Sequence, residues 1–227
     1  MTATALSFAA ADGLRLSARA LGFEAAFGRR VPWLYTAGDV RLLERPVVAL
    51  VGSRQASLAG RWRAAELADA LTRRGVVVMS GLARGIDAAA HRAALELGGP
   101  TIAVIGTPLG RAYPREHAAL QAELMRDHLV LSPFAPGTRT ERWHFPLRNG
   151  VMARLAQATV VLEASDQSGS LHQVEESLRV GRPVWLPREV VENTATNWPA
   201  RFVGRPLVRV FDSPAEVMAK ELKKALS

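Results

Sequence analysis

Three arginines stand beside glycine and serine on short turns of this chain, a grouping that suits phosphate. Arg54 closes Gly52-Ser53-Arg54, and Arg84 lies in Ser80-Gly81-Leu82-Ala83-Arg84-Gly85-Ile86-Asp87. Arg148 sits in Trp143-His144-Phe145-Pro146-Leu147-Arg148-Asn149. A glycine lets the backbone approach a ligand closely, a hydroxyl meets one phosphate oxygen, and a guanidinium fork meets two. Ser168-Gly169-Ser170 adds two hydroxyls at the head of a predicted helix. The first turn of any helix has amide donors without intrahelical partners and a partial positive charge, so it favours an anion. Phe145 beside Arg148 and Asn149 supplies the other half of a single-strand site, since an aromatic ring stacks on an unpaired base while a cation meets the backbone.

Other chemistries lack their residues. The chain has no Gly-x-x-x-x-Gly-Lys-Ser/Thr loop and no Gly-x-Gly-x-x-Gly fingerprint, so neither NAD nor FAD, nor any other cofactor, is expected. No Gly-x-Ser-x-Gly elbow occurs, and the histidines (91, 117, 128, 144 and 172) are scattered over different elements, so no catalytic residue is assigned. Without cysteine there are no disulfides and no thiolate metal sites. Asp87 and His91 lie four apart and can share a helix face, but no further ligand accompanies them and no metal is expected. Asp87 is expected to cap amides at its helix start, and His91 to hydrogen-bond within a packed interface.

Apolar runs and breakers place these residues. Strands are predicted at Val47–Val51, Val76–Ser80, Thr101–Ile105, Leu129–Ser132, Thr159–Glu163 and Pro183–Pro187, with a weaker one at Leu207–Phe211. Helices are predicted at Ala59–Arg74, Ile86–Leu97, Pro114–Arg126, Arg148–Gln157, Leu171–Val180 (capped by Ser170) and Ser213–Leu226. The Trp143–Asn149 segment reads as a proline-rich loop leading into its helix, with either Trp143 or Phe145 plugged into the core. Strands alternating with helices on short links mean an α/β fold: a Rossmann-like, doubly wound, mostly parallel sheet with helices on both faces. Ligands of such sheets sit above the C-terminal strand ends. The turns 52–54, 80–85, 106–113 and 163–170 are therefore expected on one rim. Residues 1–45 read as an arm on a core of 46–227, with Leu14–Phe27 as one or two helices and Val31–Tyr35 as an added strand.

The 227 residues carry a net charge of +8, and all but Lys220, Lys223 and Lys224 of the 29 cations are arginine. Such a balance suits a polyanion, although GC-rich coding produces the same composition, so placement decides. No run of about 18 apolar residues appears and the N-terminus lacks a basic flank, so a cytoplasmic protein without a membrane partner is expected.

Taken in order, Gly52-Ser53-Arg54, Ser80–Asp87 with His91, Tyr113-Pro114, Phe145–Asn149 and Ser168–Leu171 resemble the DNA-processing protein A (DprA, or Smf) family. The resemblance runs from about residue 31 to 187. It implies a non-catalytic protein of natural transformation (competence) and DNA recombination that binds single-stranded DNA, forms a homodimer and presents the strand to a RecA-type recombinase. It carries Arg54, Arg84, Phe145, Arg148 and the Ser168–Ser170 turn over as the DNA pocket. The family's Arg-Asn-Arg reads Arg148-Asn149-Gly150 here, and Glu175 and Glu176 follow the last turn where small apolar residues are usual. The family's N-terminal helical domain and C-terminal winged helix have no room in full, so a short member is expected. Two alternatives share the pocket. One is a sensor of a nucleotide-derived small ligand. The other is a phosphoribohydrolase related to lysine-decarboxylase-like enzymes, but Gln173 occupies the place of its glutamate and cannot transfer a proton.

Overall fold

Short β-branched runs ended by glycine, proline or serine form strands, and the alanine- and leucine-striped stretches between them form helices. The computed structural model of the protein describes residues 15–17, 31 and 33–218. Its strands are β1 (Arg15–Ser17), β2 (Trp33–Gly38), β3 (Val47–Gly52), β4 (Val77–Ser80), β5 (Thr101–Val104), β6 (Leu129–Ser132), β7 (Ala158–Glu163), β8 (Val184–Pro187) and β9 (Val208–Phe211). Its helices are α1 (Leu58–Thr72), α2 (Ile86–Glu96), α3 (Ala118–Asp127), α4 (His144–Leu155), α5 (Ser170–Arg179) and the short α6 (Arg188–Val191).

One sheet takes in all nine strands in the order β1-β2-β6-β5-β4-β3-β7-β8-β9. The strands from β3 to β9 pair in parallel, while β2 runs antiparallel to both β1 and β6. The chain begins its parallel core at β3 and steps outward through β4 and β5 to β6. It then returns to the far side of β3 for β7. That reversal leaves a crevice between the C-terminal ends of β3 and β7, where open α/β sheets bind ligands.

Alternation along β3 assigns the two faces. Val47, Ala49 and Val51 point into a core shared with Val151 and Met152 of α4 and with Leu171 and Val174 of α5. Val48 and Leu50 point the other way, against Leu67 and Leu71 of α1 and against Ile86 and Ala90 of α2. A third cluster lies under α3 and includes Leu82, Ala103, Leu120, Leu124 and Val130.

Several expectations are corrected. Within Leu14–Phe27 the described residues 15–17 are a strand, paired from Arg15↔Tyr35 to Ser17↔Trp33; the rest of that stretch lies outside the described residues. Leu16 is buried, so β1 covers the flank that β2 would otherwise leave open. Helix α4 begins at His144 rather than Arg148, which turns the supposed loop into a helical first turn. Pro146 is no obstacle there, because a first-turn residue has no intrahelical partner for its missing N–H. The helix expected from Pro114 starts as a 3-10 turn, Arg115–His117, before α3. Helix α6 and a 3-10 turn at Trp198–Arg201 fill a stretch that carries no clear periodicity. Residues 214–218 are helical, and the remainder of the Ser213–Leu226 helix lies outside the described residues. No described helix is long and apolar enough to cross a membrane.

Candidate nucleic-acid interface

The four turns expected on one rim line two adjoining clefts above the strand ends. The first, about 450 Å3, lies at the β3/β7 switch point and is lined by the 52–55 and 165–170 turns and by the start of α4. The second, about 860 Å3, is lined by the 81–84 turn and by residues 110–116. Arg54, Ala83, Phe145 and Arg148 belong to both. Phe145 therefore forms the ridge between the two clefts.

Arg54 is exposed, and its guanidinium lies 5.6 Å from the centroid of the Phe145 ring. Tyr113 packs on the same ring in a tilted arrangement, with centroids 5.3 Å apart. Phe145 is half-buried and Trp143 exposed, so neither is the core plug. His144 between them is buried instead, stacked on Phe134 at 3.7 Å, with Trp143 edge-on at 4.3 Å. The first turn of α4 turns its polar ring inward and leaves Phe145 on the rim.

The Ser80–Asp87 segment serves differently from its appearance in sequence. Ser80 is fully buried, and its hydroxyl donates to the Leu50 carbonyl at 2.6 Å, away from any ligand. Leu82 adopts φ +57 and is also fully buried, while its carbonyl accepts from His117 at 2.9 Å. Gly85 has φ +75, and a Cβ there would overlap the Ser53 carbonyl. The amide of Ile86 donates to that same carbonyl at 3.1 Å. Asp87 accepts from the amide of Ala83 at 3.2 Å. The N-terminus of α2 is thus filled by the protein's own oxygens, and an anion there is replaced by a carboxylate and a carbonyl. Four residues on, His91 bonds Thr101 at 2.8 Å in full burial, which holds its pKa down to about 3.

Arg84 stands exposed at the rim of the second cleft in a two-pronged ion pair with Glu116. Arg148 is 5% exposed. It donates to the Val104 carbonyl at 2.7 Å, and its guanidinium fills the space a Cβ on Gly81 would need. Burial pulls the Arg148 pKa down, and the Asp87 carboxylate opposes that shift. Burial likewise pushes Asp87 up while Arg148 draws it down. Arg148 lies beneath both clefts and Asp87 beneath the first, so Arg148 organises the strand ends more than it reaches outward. Asn149 donates to the Gly169 carbonyl at 3.2 Å and ties α4 to the 168–170 turn.

At that turn the Ser168 and Ser170 hydroxyls lie 2.7 Å apart, and Ser170 is the first helical residue rather than the cap. Gly169 at the N-cap offers α5 no side chain, the Ser168 hydroxyl makes only a long bond with the Ser170 amide at 3.4 Å, and a Cβ on Gly169 would meet nothing within 4 Å. Glu175 and Glu176 point to other partners. Glu176 bridges Arg154 and Arg179, and Glu175 faces Arg201 at 3.6 Å. Gly150 is buried within α4, and its carbonyl accepts from Arg154 at 2.8 Å.

The α1 start, beside the same crevice, is occupied. Glu163 at the end of β7 accepts from the Ser57 amide at 3.0 Å and from its hydroxyl at 2.5 Å. Ser57 in turn accepts from the Gly60 amide at 3.0 Å. Gly60 leaves room for this carboxylate, because a Cβ there would overlap Glu163 Oε2, while a Cβ on Gly52 would lie 2.6 Å from the Glu163 backbone carbonyl. The Ser53 hydroxyl accepts from the Gln55 amide at 3.1 Å. Sequence reading missed Glu163 and Glu116; a lone acid at a strand end or beside a proline carries no periodic signal.

Fold and clefts together define a Rossmann-like α/β protein with a cleft at the sheet's switch point. A family profile described as DNA recombination-mediator protein A matches residues 25–203. The chain belongs to this DprA/Smf family of DNA-processing proteins. It is 43% identical over 160 residues to the DNA processing protein DprA of Streptococcus pneumoniae, covering 70% of this chain and 56% of that one. A crystal structure of the pneumococcal protein superposes with TM-score 0.78 at 37% identity, over 84% of this chain and 67% of that one. DNA processing protein A from Helicobacter pylori, studied for its single-stranded DNA binding mode, shares the fold at TM-score 0.76 and 23% identity, over 86% of this chain and 88% of that one. The chain spans about half the length of the curated relatives it matches.

Proposed function

We propose that this protein binds single-stranded DNA along the rim of its two clefts and, by binding rather than catalysis, presents the strand to a RecA-type recombinase in DNA uptake and recombination, acting as a homodimer in the cytoplasm. The observation that carries the reading is Arg54. It is exposed, has no carboxylate within ion-pair distance among the described residues, and is poised over the half-buried ridge ring of Phe145. A base stacked on Phe145 brings its phosphate within reach of that guanidinium and of the open α5 start at Ser168–Ser170. Membership in the family and the single-strand binding of the Helicobacter relative support the same conclusion.

Fluorescence anisotropy with single- and double-stranded oligonucleotides over a salt series tests it. The wild type is expected to prefer the single strand, and Arg54→Ala to weaken binding about tenfold for every sequence. The salt slope should flatten by about 0.7, one phosphate's worth on a single strand. Equal affinity for duplex and single strand, or an unchanged slope in the variant, contradicts the proposal.

The first cleft also favours a second reading. Its volume of about 450 Å3 suits a single nucleotide-derived ligand. Thermal-shift screening against mononucleotides separates the two, since a sensor is stabilised by a free nucleotide at concentrations where oligonucleotides gain nothing more.

A further inference from the structure

The second cleft is the larger of the two; it shares Arg54 with the first and takes in the 81–84 turn, but the α5 start does not line it. Its wall is the 110–116 segment, which places Arg111, Tyr113 and Arg115 on the surface. No carboxylate lies within ion-pair distance of Arg111 or Arg115 among the described residues, whereas Arg84 opposite them is held by Glu116. The segment is firmly mounted. The Thr107 hydroxyl donates to the Arg111 carbonyl at 2.7 Å, the Arg111 amide donates to Pro108 at 2.9 Å, and Gln121 donates to Leu109 at 2.7 Å. Tyr113 is 48% exposed and continues the aromatic surface of Phe145 into this cleft.

Resting on the single-strand reading above, we infer that the second cleft is a separate nucleotide subsite, and that the Arg84–Glu116 ion pair is a latch which the strand must exchange. A strand crossing the Phe145 ridge from the first cleft meets Tyr113 as a second stacking ring and Arg111 and Arg115 as second-subsite phosphate contacts. Arg84 becomes a further contact only when a phosphate replaces the Glu116 carboxylate on its guanidinium fork. The two anions compete for one planar donor set, so Glu116 lowers affinity for any strand long enough to enter the second cleft. Both partners of the pair are more than half or about half exposed, at 62% and 50% of their side-chain surface, so the exchange needs no unfolding.

The test is anisotropy with oligothymidylates from about 3 to about 12 nucleotides, within the size range of single-strand sites. Proteins compared are the wild type, Glu116→Gln, the Arg111→Ala/Arg115→Ala double variant and Arg54→Ala. On the longer oligomers Glu116→Gln should bind about two- to fivefold tighter, the scale of one exposed ion pair. The double variant should lose about 1.4 from its salt slope, two phosphates' worth. On the shortest oligomers both should match the wild type, because those fill the first cleft alone. Unchanged or weaker binding by Glu116→Gln, or a wild-type slope in the double variant at every length, overturns the second subsite. If Arg54→Ala still loses binding in that case, the single-strand function stands without it. A wild type that binds no oligomer overturns both.

Discussion

Two helix starts flank the crevice between β3 and β7, and they are handled in opposite ways. At α1 the chain supplies its own anion: Glu163 receives the Ser57 amide and hydroxyl, and Ser57 caps the Gly60 amide. At α5 the N-cap is a glycine with open space where a Cβ would be, no acid reaches the first turn, and the Ser168 hydroxyl meets the Ser170 amide only at 3.4 Å. The α1 start is where a dinucleotide-binding Rossmann protein seats its pyrophosphate. Filling it with a carboxylate removes that class of ligand and shifts the available donors to the far side of the crevice, next to Arg54 and Phe145.

The contrast can be broken from its floor upward. Arg148→Ala should have the largest effect, about 2–4 kcal/mol of unfolding free energy by urea denaturation, because it removes the bond to the Val104 carbonyl, the packing of a buried side chain and a charge that offsets the burial of Asp87. A variant of near wild-type stability that lost only oligonucleotide affinity would make Arg148 a direct contact instead of a support. Glu163→Ala should cost about 1–2 kcal/mol through loss of the Ser57 bonds while leaving single-strand affinity nearly unchanged, which the same denaturation and anisotropy assays read. Gly169→Asp copies the α1 arrangement onto α5. Space and helical backbone both accommodate the side chain, so stability should hold while affinity falls several-fold. If Gly169→Asp binds as tightly as the wild type, the open start is not where the phosphate sits.

Much of this was readable from the letters. Short unbroken apolar runs such as Val47–Val51 and the alanine stripe of Ile86–Glu96 define their elements locally, so the parallel core and the shared rim followed from run length and spacing. Arg54 and Phe145 could be picked as candidates because a cation or a ring beside glycine, serine or proline on a turn suits a ligand as readily as packing, and both do line the clefts. Arg148 and Ser80 look the same in sequence and end up buried, since their accessibility is set by Gly81, Val104 and Leu50, which are remote in sequence. The α4 start escaped prediction because Pro146 reads as a breaker, although a first turn tolerates it. Glu163 and Glu116 were illegible for a plainer reason: what an acid does depends on which cation or amide the fold brings to it.

The carbonyl of Ser53 deserves a last look for what it does to movement. It bonds the Ile86 amide, and Gly85 leaves just enough room for it, so the turn bearing Arg54 is bolted to the front of α2. What look like two independent signatures are then a single mechanical part. A load placed on one is carried by the other, and any tilt of that helix would swing the cation across the ring that divides the clefts.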